Sequence, residues 1–167
     1  DARVRALSSD AELTITLADE DATRALGARL ATLLPSGSVL ALNGTLGAGK
    51  TRFVQGLALA AGVPADAVLS PTYTLIHEYL LPSNSPVAKI YHLDAYRVRD
   101  EDEFWELGVE ELYEQPAWII IEWAERVPRC LPREYFEIQL AVTGPETRAA
   151  KLIAHGEKYH PVIELTQ

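Results

Sequence analysis

The run Gly44-Thr45-Leu46-Gly47-Ala48-Gly49-Lys50-Thr51 carries the clearest chemistry in this chain. It satisfies every fixed position of the pattern G-x-x-x-x-G-K-[ST]. Glycines there let successive backbone N–H groups wrap a phosphate with no Cβ in the way. A helix starting near Lys50 would point its positive end at the same anion. Lys50 would reach the β- and γ-phosphates, and the Thr51 hydroxyl would ligate Mg²⁺. The candidate nucleotide contacts are therefore Gly44, Thr45, Leu46, Gly47, Ala48, Gly49, Lys50 and Thr51. No Asn-Lys-x-Asp run of the guanine-reading kind occurs, which favours ATP over GTP.

Hydrolysis also needs an acid at a strand end, to hold Mg²⁺ or orient water. Two residues fit. Glu122 ends the run Trp118-Ile119-Ile120-Ile121, where a carboxylate is costly unless something cationic meets it. It is the candidate metal ligand alongside Thr51. Asp94 ends Lys89-Ile90-Tyr91-His92-Leu93 and is the candidate for orienting the attacking water; a salt bridge or cap with Arg97 is the plainer alternative. Thr72, after Ser70-Pro71, could sense the γ-phosphate or be an ordinary turn residue. Trp123 could pack against the nucleotide or be a core aromatic. The histidines, His77, His92, His155 and His160, lack H-x-x-x-H spacing and read as ordinary. Cys130 stands alone, which excludes an internal disulfide and a Cys-based zinc cluster, and it has no helix N-terminus to activate it as a nucleophile.

Elements must hold these groups together. Glu12–Leu17 alternates as a strand. Asp19 reads as an N-cap, with Glu20 and Asp21 in the first turn of a helix. Ala22, Leu26, Leu30, Leu33 and Leu34 share that helix's apolar face, and Pro35-Ser36-Gly37 ends it. Gly27 inside this helix costs roughly 1 kcal/mol against Ala, which close packing or mere tolerance would explain. Ser38–Asn43 is a strand, and a second helix runs from near Lys50 to Gly62, burying Val54, Leu57, Ala58 and Ala61. Thr72–Leu80 and Val87–Leu93 read as a hairpin about Pro82–Ser85. Ala117–Trp123 has no polar face in its centre and reads as a buried strand. Tyr135–Thr143 and Arg148–Ala154 flank a second hairpin turn, and the tail from His155 is indistinct. The expected fold is α/β, a single phosphate-loop NTPase-like domain over residues 11–167. Its mixed parallel and antiparallel central sheet would be flanked by helices, after a flexible segment 1–10.

The chain has 167 residues, of which 48% are apolar and 23% charged, ordinary values for a globular domain. No apolar run approaches the roughly 18 residues of a transmembrane helix, and the first residues lack a signal peptide's apolar stretch. The cytoplasm is the expected compartment. Net charge is −9, and ten of the 24 acids fall between Arg99 and Arg126, where there is no Lys or Arg. That segment should form one or two short helices broken near Gly108. A solvated acidic surface is the simple reading; a docking face for a basic partner is the sharper one, with Phe104, Trp105 and Tyr113 as anchors. Tight direct binding to DNA or RNA is disfavoured by the sign of the charge.

Taken together, these motifs resemble the TsaE (YjeE) family, small phosphate-loop ATPases of bacterial tRNA threonylcarbamoyladenosine biosynthesis. The resemblance rests on Ala22-Thr23 through Leu26-Gly27, the glycine loop, Ser70-Pro71-Thr72-Tyr73-Thr74-Leu75, Tyr91-His92-Leu93-Asp94-Ala95-Tyr96-Arg97, Leu107-Gly108 with Glu110-Glu111, and Ile121-Glu122-Trp123-Ala124-Glu125. These segments follow the family's order across roughly residues 12–143. The resemblance implies ATP and Mg²⁺ as ligands, with Thr51 and Glu122 on the metal and Lys50 on the phosphates. It implies that Asp94 serves hydrolysis, that Thr72 lies in a switch-like loop and that Thr23 lies near the nucleotide. It implies TsaB and TsaD as protein partners, tRNA reached only through them, and no membrane. Thr45 stands where the family commonly has Asp; the glycine-loop pattern leaves that position open, so binding is expected to survive.

Two other function classes remain open on the residues. A small-molecule kinase would need a basic lid to hold the moving phosphate. The chain offers Arg97 and Arg99, followed by acids alone. A nucleotide-gated interaction module would bind ATP and a partner without releasing phosphate.

Overall fold

The apolar run ahead of the glycine loop becomes a central strand, because both faces of the sheet are covered there. The computed structural model describes residues 10–68 and 75–167. Among them one sheet contains β1 (Ala11–Leu17), β2 (Val39–Gly44), β3 (Ile76–Leu80), β4 (Lys89–Asp94), β5 (Ala117–Glu122), β6 (Tyr135–Val142) and β7 (Arg148–His155). Their order is β1-β7-β6-β2-β5-β4-β3. The inner strands β6, β2, β5 and β4 are mutually parallel. β3 on one edge, and β7 with β1 on the other, run antiparallel to their neighbours. The fold is thus a single α/β domain with the mixed sheet expected from the sequence.

Five helices accompany the sheet: α1 (Glu20–Ala31), α2 (Lys50–Ala61), α3 (Glu101–Trp105), α4 (Val109–Leu112) and α5 (His160–Thr166). Strand alternation divides the core. Leu40, Leu42, Trp118 and Ile120 face α1 and α2, meeting Leu26, Leu30, Phe53 and Leu57. Val39, Ala41, Ile119 and Ile121 face the other way, onto Phe104, Val109 and Cys130.

Asp19 caps α1 as expected: its Oδ1 accepts the Ala22 N–H at 2.8 Å. The helix ends at Ala31, short of Leu33 and Leu34, although Leu34 still enters the core. Gly27 has its explanation in close packing, since a Cβ there would strike the Phe53 carbonyl. Gly56 is its counterpart, pressed against the Arg24 carbonyl, so α1 and α2 cross at backbone contact.

Both hairpins form, closed by Ser85 N–H to Pro82 O at 3.0 Å and Thr143 N–H to Thr147 O at 3.1 Å. The acidic segment gives two short helices parted by Gly108, whose φ of +82° suits glycine. One anchor expected on that surface is corrected: Phe104 is fully buried, because α3 must plug the second face of the sheet. Tyr113 is half-buried and its hydroxyl donates to the Cys130 carbonyl at 2.8 Å, leaving Trp105 as the more exposed aromatic. The tail, indistinct in sequence, is structural. Tyr159 is buried and its hydroxyl accepts the Val39 N–H at 3.0 Å, while Val162 and Ile163 join the core.

Candidate functional site

β2 delivers Gly44 to the end of the sheet, and the chain turns back into α2 at Lys50. Gly47 and Gly49 have φ of +80° and +106°, conformations that an L side chain rarely adopts. Gly49 N-caps α2, and its carbonyl accepts the Phe53 N–H at 2.9 Å. Ala48 is buried beneath the turn, while Leu46 stands at its tip with 74% exposure. Thr23 of α1 is buried against the loop, 3.5 Å from where a Cβ on Gly49 would lie.

Lys50 is only 7% exposed. Its Nζ donates to the Gly44 carbonyl and, at 3.0 Å, to the Thr45 carbonyl, and lies 4.3 Å from the Trp123 ring centroid. Burial pulls its pKa below the ordinary lysine value, and Glu122, Glu125 and Asp94 pull the other way.

The two acids come from adjacent strands. Asp94 and Glu122 end β4 and β5 and face each other in register. Asp94 Oδ1 accepts the Tyr96 N–H at 2.8 Å, so the cap expected of it falls on Tyr96. Burial raises the Asp94 pKa, and the Glu122 carboxylate adds to that. Glu122 does meet a partner in the core, the imidazole of His92, with Nε2 and Oε2 2.6 Å apart. Trp123 follows with φ of +59°, an unusual value for a bulky residue, and its ring lies 4.9 Å from that of Tyr96.

A cavity of about 640 Å³ opens between the glycine turn and these strand ends. Leu46, Gly47 and Gly49 form one side; Lys50 and Thr51 form its floor at the helix start; Asp94, Glu122 and Trp123 close the far side. Gly44, Thr45 and Ala48 complete the turn behind the lining. Thr72 lies outside the described residues. The site gathers a cation, a hydroxyl, two carboxylates and a turn of backbone amides, a set that neutralises anionic oxygens and supplies oxygen donors to a divalent ion.

Three contributors escaped the sequence reading. His92 was read as ordinary, yet it sits two residues before Asp94 on a strand, and that period of two places both on one face. Arg148 comes from β7: its Nη2 donates to the Gly47 carbonyl at 3.0 Å, and Nη1 to Gly144 and Thr147 carbonyls. Asn43 accepts the Glu125 N–H at 3.2 Å and donates to Glu137, bracing the segment after Glu122. No local signal marks the last two, since their partners are remote in sequence.

The family model of the threonylcarbamoyl adenosine biosynthesis protein TsaE matches residues 17–150. The tRNA threonylcarbamoyladenosine biosynthesis protein TsaE of Bacillus subtilis is 37% identical over 142 residues, covering 85% of each chain. The protein of that name from a Nostoc species is 36% identical, over 87% of this chain and 88% of its own. The crystal structure of Bacillus YdiB superposes with a TM-score of 0.72 at 28% identity, over 94% of this chain and 95% of that one.

Proposed function

The chain belongs to the TsaE family, and on that premise we propose that it is a Mg²⁺-dependent ATPase that supports threonylcarbamoylation of adenosine 37 in tRNA. The observation that carries the nucleotide chemistry is the convergence of Lys50, Thr51, Asp94 and Glu122 on one cavity at the mouth of a glycine turn. Amides of the turn and the start of α2 would bind the phosphates. Lys50 would leave its own loop carbonyls for the β- and γ-phosphate oxygens, an exchange of like for like in hydrogen bonds.

The donor set fits a hard cation. Thr51 and Glu122 offer oxygen ligands, and Mg²⁺ takes one or two protein oxygens together with phosphates. When bound, it would supply charge neutralisation across the β- and γ-phosphates. Asp94 would orient the attacking water, Trp123 would pack against the nucleotide, and Thr23 would support the turn from behind Gly49. Thr72 keeps its proposed switch role on sequence grounds alone.

The acidic balance of the chain argues that it reaches tRNA through protein partners, and TsaB and TsaD are the partners we propose. Among the described residues no helix is long and apolar enough to cross a membrane, and the proposed place of action is the cytoplasm. Calorimetric titration with ATP and Mg²⁺ tests the site. Wild-type protein should bind and Lys50→Ala should lose binding or weaken severely; equal affinity would overturn the assignment.

A further inference from the structure

His92 is buried beside the proposed metal ligand and has no part in the reading above. Alternation along β4 puts Ile90, His92 and Asp94 on one face of the sheet, and β5 puts Trp118, Ile120 and Glu122 on the same face. His92 is 0% exposed and Glu122 3%, with Nε2 and Oε2 2.6 Å apart. His92 Nδ1 has no hydrogen-bond partner among the described residues.

A neutral imidazole carries one N–H, and a carboxylate oxygen can only accept. The proton therefore belongs on Nε2, directed at Glu122. The opposite tautomer would set a bare Nε2 against a carboxylate and bury an unmatched N–H on Nδ1, which is costly on both counts. Nε2–H engages Oε2 and leaves Oε1 as the oxygen available to a cation. It also removes the rotamer freedom that a long carboxylate side chain would otherwise have to lose on binding.

We propose that His92 is a positioning residue, donating Nε2–H to Glu122 Oε2 so that Glu122 presents Oε1 to the divalent cation of a Mg²⁺–nucleotide. This rests on the Mg²⁺–ATP reading and deepens it. Hydrogen bonds of this kind behind a metal ligand commonly govern 10–100-fold in metal affinity.

The test uses the full chain and a fluorescent ATP analogue, titrated first in EDTA and then with rising Mg²⁺. His92→Leu should raise the Mg²⁺ half-saturation point about tenfold or more, while affinity in EDTA stays within about twofold. His92→Gln, whose side-chain amide can donate from nearly the same place, should recover part of the loss. An unchanged half-saturation point in His92→Leu, even with a lowered melting temperature, would reduce His92 to a structural residue. Should His92→Leu fail to fold, histidine ¹H–¹⁵N spectra of the wild type decide the matter. An Nε2–H tautomer whose resonance moves in Glu122→Gln supports the role, and an Nδ1–H tautomer overturns it. Wild-type nucleotide binding that is indifferent to Mg²⁺ would instead sink the underlying reading, and this role with it, before any variant is compared.

Discussion

Asp94 and Glu122 stand side by side as register partners at the carboxyl ends of parallel strands β4 and β5, both buried. Ligands of open α/β sheets bind at that edge. Two acids placed together in a desolvated spot oppose each other's ionisation, and here Glu122 does raise the Asp94 pKa. Lys50 faces them and partly offsets the repulsion. Such a pair is poor for stability, which is the mark of a site kept for its chemistry.

The pair makes Asp94→Asn informative. Burial first, then Glu122, holds the Asp94 pKa above its ordinary 3.8, while the Tyr96 amide pulls it down. Between the unfolded and the raised folded value, the folded chain binds more protons, so stability falls as pH rises through that window. Asparagine keeps an oxygen for Tyr96 and removes the charge. The variant should melt above the wild type at neutral pH, with the gain fading as pH drops through the folded Asp94 pKa. It should still bind ATP but hydrolyse it at least ~10²-fold more slowly, the usual share of a positioned acid or base. Scanning calorimetry across pH and steady-state phosphate release check the two halves separately.

Gly56→Ala tests the crossing of α1 and α2. Alanine is the better helix former by about 1 kcal/mol. Its Cβ would nevertheless land on the Arg24 carbonyl, a backbone atom that cannot swing aside. A net loss of about 1–3 kcal/mol is expected, as for other overpacked positions. Urea unfolding measures it, and a stability at or above wild type would show that the crossing is looser than described.

Tyr159→Phe tests the C-terminal tail's hold on the strand that leads into the glycine loop. It leaves the buried Val39 N–H without its acceptor. Loss of a buried partner costs about 1–3 kcal/mol. The same unfolding experiment should show that drop with ATP affinity unchanged, because Tyr159 lies away from the cavity lining. A neutral result would mean that Val39 finds another acceptor.

Arg148→Lys tests the brace on the glycine turn. The guanidinium serves the Gly47, Gly144 and Thr147 carbonyls together, which one ammonium cannot reproduce. ATP binding should weaken by up to about tenfold, with little change in turnover at saturating ATP. Wild-type affinity in calorimetry would remove Arg148 from the site.

The site's chemistry was legible where one short segment holds it. The glycine pattern, and the acids ending two apolar runs, announce themselves locally, and strand and helix periodicity places them at one edge of a sheet. Asp19's capping role was equally readable, from one side chain and its own helix. Contacts between distant segments were not. Arg148 reaches Gly47 only because β7 folds back through β6 towards β2, an adjacency set by topology. Phe104 looked like a surface anchor because acids surround it, yet tertiary burial took it into the core. His92 lay between these cases: its spacing to Asp94 was visible, but its pairing with Glu122 depends on β4 and β5 being neighbours.

The central claim is ATP hydrolysis in the service of a tRNA-modifying complex. Phosphate release from ATP, with and without a TsaB–TsaD pair and with Lys50→Ala as the blank, tests it most directly. The expected result is release that the pair stimulates and the variant abolishes. ATP bound but no phosphate released, alone or with the pair, would contradict the claim and leave a nucleotide-gated interaction module in its place.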